Sequence, residues 1–309
     1  MKDIRYLLTL TLLIGVACDK VEIPIEKPAV VNPIDTTEIF PEIDTAEIND
    51  ATRKVLVEEF TGHKCPNCPL NTSKLLKLQE RNDPEVVVIS YHHGIFSKTD
   101  DEAFEADYTT EYGGELHDLF GINAYPTAIV NRATFEGFDP YSNTFPTHTF
   151  WKDPIDLMLV ENEPILAIGI ANEFQADSNQ YKIRVSLKAL EDLNQEYRLT
   201  LLYIEDSVIS PQIDNRIDKA VDPDQTDMEY AHKHLFRAPV NANAGISGEV
   251  IVTNDGLSAE DWVDWRYVFP VPEYIEDPLN CTFIALVVES ATSEVIQVEE
   301  VHAHAAEEE

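Results

Sequence analysis

The chain has 309 residues, 44% of them hydrophobic, with 57 acidic against 22 basic residues and a formal net charge of −35. That length supports two ordinary domains, each with its own core. The charge excludes a nucleic-acid partner, because phosphate binding needs basic residues that replace counterions, and it disfavours anionic membrane surfaces for the same reason.

Lys2 and Arg5 precede an apolar run over residues 6–17, too short for a mature membrane span and of the length of a signal-peptide core. The run closes Ile14-Gly15-Val16-Ala17-Cys18, which resembles a bacterial lipobox, with Gly15 where leucine is usual. The expectation is a signal peptide over 1–17, lipidation of Cys18 and a lipoprotein of the cell envelope, in the outer membrane, periplasmic or surface-exposed. An ordinary secretory signal is the alternative. Residues 19–50 carry nine acids, two bases and four prolines, too few apolar groups to order themselves, so 18–52 reads as an acidic tether.

From residue 53 the pattern changes. Residues 54–60 read as a strand, 71–80 as a helix and the continuous apolar run 86–89 as a strand covered on both faces. An acidic, helical insert is expected over 100–120, then a short strand at 128–130 and a helix at 151–160. Strand and helix alternating in this way make an α/β layer unit over residues 53–162. After Pro164 strands are expected at 165–171, 181–187, 198–204, 249–253, 267–271, 282–288 and 295–301. Their spacing suggests an all-β, immunoglobulin-like antiparallel sandwich over 163–301, followed by a frayed tail at 302–309.

The motif Cys65-Pro66-Asn67-Cys68 sits between the first strand and the first helix, the site geometry of thioredoxin-like proteins. A thiolate at a helix N-terminus meets unpaired N–H groups and the positive end of the macrodipole, which lowers its pKa. Pro126, followed by a strand, stands where a cis proline would face the pair. Pro69 weakens the redox reading: proline suits the first helical position, so a helix that starts there leaves Cys65 outside it. Lys64 and His63 would supply positive charge instead. Three readings stay open: a redox pair with Cys65 as nucleophile and Cys68 resolving, a structural disulfide favoured by the oxidising compartment, and a metal clip with His63 as third ligand.

Within the thioredoxin-like superfamily, EEFTGHKCPNCP around the cysteines, Ser90–Gly94 (SYHHG), Ala124–Arg132 (AYPTAIVNR) and Glu229–Arg237 (EYAHKHLFR) resemble the outer membrane protein 28-related lipoproteins. The resemblance covers nearly everything after the tether. It implies a lipid-anchored envelope protein with a thioredoxin-like domain followed by a β-sandwich, and it implies architecture more than activity.

Other candidates are weaker. His92 and His93 end a strand and point oppositely, so one at most can face the cysteines. His232 and His234 would share one face of an extended segment near Glu229, as a surface metal site or a packing motif. Asp222, Asp224, Asp227 and Glu229 make an oxygen-rich stretch that calcium could use, though it lacks the turn glycine of an EF-hand; a solvated loop is the plainer reading. Trp262, Trp265, Tyr267 and Phe269 read as core or as a partner-binding patch, and Cys281 as a small buried apolar residue. No cofactor is required. The expected function is a binding or accessory subunit of the envelope, a surface receptor or part of an outer-membrane complex. The alternative is a thiol–disulfide oxidoreductase acting on exported proteins. Its partners would accordingly be proteins of the outer membrane or exported substrates.

Overall fold

The apolar run Val55-Leu56-Val57 opens the first strand of the computed structural model, which describes residues 39–45, 48, 51–100, 103–135, 144–160 and 163–306. Cys18 and the expected signal peptide lie outside these residues. Strands β1 (Val55–Thr61) and β2 (Val86–His92) pair in parallel and are joined by helix α1 (Cys68–Arg81). Every residue of both strands is buried, because both faces are covered. Val55 and Val57 pack with Leu75 of α1, whereas Leu56 and Phe60 face the opposite way.

Helix α2 (Glu111–Leu119) follows, then β3 (Thr127–Val130), β4 (Thr144–Phe145) and α3 (Lys152–Val160). Of the insert expected to be helical over 100–120, only α2 forms. Thr110, with extended backbone, caps it by accepting from the Gly113 N–H at 3.0 Å, which fixes the start at Glu111 and not at 100, where the acid-rich pattern begins. β3 runs antiparallel to β1, with Phe60 opposite Thr127.

The rest of the chain is β: β5 (Leu166–Gln175), β6 (Gln180–Ala189), β7 (Tyr197–Glu205), β8 (Val208–Ile213), β9 (Thr226–His232), β10 (Leu235–Pro239), β11 (Glu249–Val252), β12 (Trp262–Pro270), β13 (Cys281–Glu289) and β14 (Val295–His302). A three-stranded antiparallel sheet, β12-β6-β5, faces β7 and β13 across a core built from Tyr181, Ile183, Val185, Leu201, Tyr203 and Phe283. The alternation of residues 181–187 is what buries one side of β6 in this layer.

The second layer does not stop where the sequence suggests a domain boundary, at 162 and 163. Its nine strands run β14-β13-β7-β10-β2-β1-β3-β4, with β11 also on β7, and β10 joins β2 in parallel at Leu235 and Ser90. One core accordingly holds Leu56, Ile89 and Tyr91 from before the boundary with Leu202, Phe236 and Ile284 from after it. The molecule is mostly β, with mixed and antiparallel sheets and few helices.

Both ends of the described chain are tied down where the sequence suggests mobility. Ile43 and Ile48 of the expected tether close on Gly169 of β5, Phe40 lies under the ammonium of Lys182 and the guanidinium of Arg266, and Glu42 pairs with Arg184 at 3.0 Å. The expected frayed tail instead returns to β5. The Phe174 N–H donates to the His304 carbonyl at 2.8 Å and Ala306 N–H to the Phe174 carbonyl. Asn172 satisfies both His302 and His304 backbone groups. Backbone pairing with the edge strand β5 orders the tail, and side-chain packing and ion pairing order the segment before residue 53, neither of them visible to composition.

Candidate functional site

The residues after β1 turn back at once, with the Cys65 N–H on the Gly62 carbonyl and the Cys68 N–H on the Cys65 carbonyl. Helix α1 then begins at Cys68, with Asn67 at its N-cap and Pro69 in its first turn. Cys65 therefore lies outside the helix. Cys65 and Cys68 are joined in a disulfide, and each is only 1% exposed.

Pro126 is buried and follows a cis peptide bond from Tyr125. The pairing of Phe60 with Thr127 sets it beside Thr61, at the end of β1 that leads into the cysteine loop.

The cover over the disulfide comes from the hairpin of β8 and β9. The Gln212 side-chain amide, 2% exposed, donates to the carbonyls of Gly62 at 3.3 Å and Cys65 at 3.1 Å. Ile213 N–H donates to the His63 carbonyl at 2.8 Å and Asn215 N–H to that of Pro66 at 3.0 Å.

His63 does not bring the positive charge expected of it. Its ring is buried, its Nε2 lies 3.2 Å from the Lys98 carbonyl, and burial pushes its pKa down. Lys64 turns away to Asp100 at 2.7 Å. Of the two adjacent histidines, His92 points under the hairpin and His93 points to the other side, 4.6 Å from the His117 ring. The His92 ring lies 5.1 Å from that of His232 and 5.3 Å from that of Tyr108. Burial holds His92 well below the usual histidine range and His232 at about 4, so both rings are neutral at pH 7.

Cys68, Ser90, His92, Tyr230 and His232 line a cavity of about 10 Å³, the room of about one water. Among the described residues His92 Nδ1 and His232 Nε2 find no hydrogen-bond partner. His234 parts from His232 at a left-handed backbone position (φ 51°) and reaches Gln79 of α1 at 2.9 Å, so the two do not share a face.

Two buried acids behind the motif were not singled out by the sequence reading. Adjacent on β1, Glu58 and Glu59 take opposite faces. Glu58 accepts two 2.8 Å bonds from Arg132 and one from the Tyr91 hydroxyl at 3.1 Å, a satisfied internal ion pair. Glu59 faces α1, accepting from Thr72 at 2.8 Å and Ser90 at 3.3 Å, and burial raises its pKa to about 7. Two consecutive acids inside a buried strand were the available signal; their partners are distant in sequence.

Asp222, Asp224, Asp227 and Glu229 are exposed or half-buried, the first two in the turn and the last two at the start of β9. Asp222 accepts from the Asp224 and Thr226 N–H groups and Asp227 from the Glu229 N–H. Among the described residues no three His, Cys, Asp or Glu side chains group closely enough to hold a metal ion. Trp265 and Tyr267 are half-buried and Trp262 is 41% exposed. No helix among the described residues is long and apolar enough to cross a membrane.

The family model described as outer membrane protein Omp28 matches residues 114–306, more than half of the chain. The chain belongs to this family. Its place is the cell envelope, as an outer membrane protein. HBP35 of Porphyromonas gingivalis shares its fold, with a TM-score of 0.60 at 14% identity over 83% of this chain and 78% of that one. A domain of the outer membrane lipoprotein Omp28 from Porphyromonas gingivalis matches at 19% identity, covering 47% of this chain and 93% of that one, with a TM-score of 0.31. A protein from Agrobacterium tumefaciens matches at 14% identity over 84% of this chain and 98% of its own length, with a TM-score of 0.48. No curated protein matches the chain.

Proposed function

We propose that this family member is anchored to the outer membrane by lipid on Cys18 and acts by binding protein partners, as a receptor or an accessory subunit. The observation that carries this reading is the burial of both sulfurs, 1% exposed beneath Gln212. A disulfide so placed staples the loop on which the hairpin rests. The large negative charge (−35) favours partners with basic patches and speeds encounter with them at low salt.

The test is capture of the lipidated protein from solubilised membranes, beside a Cys65→Ala/Cys68→Ala variant and a Cys68→Ser variant. The double substitution is expected to retain the same partners while losing about 2 kcal/mol of stability, the loop-closure value for so short a loop. Exported proteins held covalently through Cys65 in the Cys68→Ser variant would overturn the reading.

A second reading has its own support. Strand, C-x-x-C and helix in succession, with cis Pro126 at the same end of the sheet, match a thioredoxin-like domain. Glu59, near neutrality, bonds Thr72 and Ser90 on the wall of the cavity that Cys68 lines. Once reduced, the Cys68 thiol would share that cavity wall with the hydrogen-bond partners of a carboxyl able to hold a proton near pH 7, which supports exchange with exported proteins.

A further inference from the structure

The cysteine loop presents a row of carbonyls, those of Gly62, His63, Cys65 and Pro66, and each is taken by one short segment. Gln212 reaches the first and third with its side chain. Ile213 and Asn215 reach the second and fourth with their backbone N–H groups. This segment lies along the loop as an extended polypeptide would, alternate residues donating inward.

The hairpin that supplies it is otherwise loosely held. Among the described residues β8 and β9 pair only with each other, as a separate two-stranded sheet. Their outer surface leaves Ile209 61% and Met228 57% exposed. The inner face rests on Tyr230 and His232, at the one-water cavity. The hairpin leaves β7 and returns to β10, which are themselves paired, and left-handed residues stand at both joints, Ser207 (φ 56°) and His234 (φ 51°). A swing about these joints needs no change in the nine-stranded sheet.

We infer that the β8–β9 hairpin is an autoinhibitory latch on the Cys65–Cys68 disulfide. Docked, it keeps thiols from the Cys65 Sγ. Undocked, it frees both the sulfur and the carbonyl row, which then suits an extended segment of another polypeptide. This concerns access to the disulfide and stands whether or not the chain turns over exported substrates.

The test uses the full chain and dithiothreitol. One thiolate of the reagent attacks Cys65 Sγ, the Cys65–Cys68 bond breaks and Cys68 leaves as the thiolate. The second thiol of the reagent then displaces Cys65, closing the oxidised ring, so that both electrons come from the reagent. The rate is followed by quenching and labelling the freed thiols in native buffer and in low urea. Gln212→Ala, which removes the side-chain donor to the Gly62 and Cys65 carbonyls, combined with Asn215→Ala, which removes the side-chain bond to Asn67 of the cysteine loop, is expected to raise the rate at least about tenfold, from the loss of hydrogen bonds at the dock, with the urea midpoint near that of the parent. In the parent, the rate is expected to rise only weakly with urea, because a hairpin exposes little surface. Equal rates in the two proteins would overturn the latch. So would a parent rate that climbs with urea as steeply as global unfolding, a readout that decides the matter even if the variant misfolds.

Discussion

Glu59 is a carboxyl held in surroundings that oppose its charge. Buried against α1, it is raised from 4.5 to about 7, so the folded chain keeps a proton that the unfolded chain releases between those values. Folding takes up that proton, and stability is lost as pH rises from about 4.5 to about 7, by an amount on the order of 3 kcal/mol. Glu59→Gln keeps an acceptor for Thr72 and Ser90 and cannot ionise. Urea unfolding should find it more stable than the parent at pH 8 and level with it at pH 5; parity at both would place the carboxylate elsewhere than against α1. His232 acts with the opposite sign. Its pKa, lowered to about 4, makes its contribution full above about 6.5 and lost as pH falls toward 4, so the comparison with the Gln variant isolates Glu59 from it.

At the scale of elements, what could be read from the sequence was what local pattern fixes. The run into Cys65, the helix after Cys68 and the proline before β3 each carry a local signature, and the structure brings them to one end of the sheet. The cover was not legible. β8 contains Pro211, which demotes a run to an edge strand or to none, and β9 carries Asp227 half-buried and Glu229 exposed, so no alternation marks either strand. Their order comes from the cysteine loop they rest on, a contact about 150 residues away in sequence. The segment before residue 53 hid its docking in the same way, since its partner is the absence of a side chain at Gly169. A Cβ there would lie 2.5 Å from Ile48 Cδ1 and 2.6 Å from Ile43 Cγ2. Gly169→Ala should therefore release this segment, with proteolysis ahead of residue 53 several-fold faster and global stability changed by less than about 1 kcal/mol. Cleavage at the parental rate would show that the two isoleucines do not hold it.

For the whole molecule, the fold class could be seen in halves and the join between them could not. Parallel pairing of β10 with β2 gives both halves one sheet, and the core around Tyr91 and Phe236 makes them depend on each other. Unfolding is accordingly expected to be a single transition. Trp151, fully buried before residue 162, and Trp262 and Trp265 after it can be watched separately by Trp→Phe substitution, and should report one urea midpoint. Two midpoints would mean that the shared sheet does not couple the halves.

A hairpin from the second half of the chain sits on the cysteine loop of the first and seals it. Native-state amide exchange at Ile213 and Asn215, whose N–H groups meet the carbonyls of His63 and Pro66, measures this directly. Exchange at both amides is expected to be at least about a hundredfold slower than in an unstructured peptide. Exchange at the peptide rate, with the amides of β1 and β2 still protected, would contradict it.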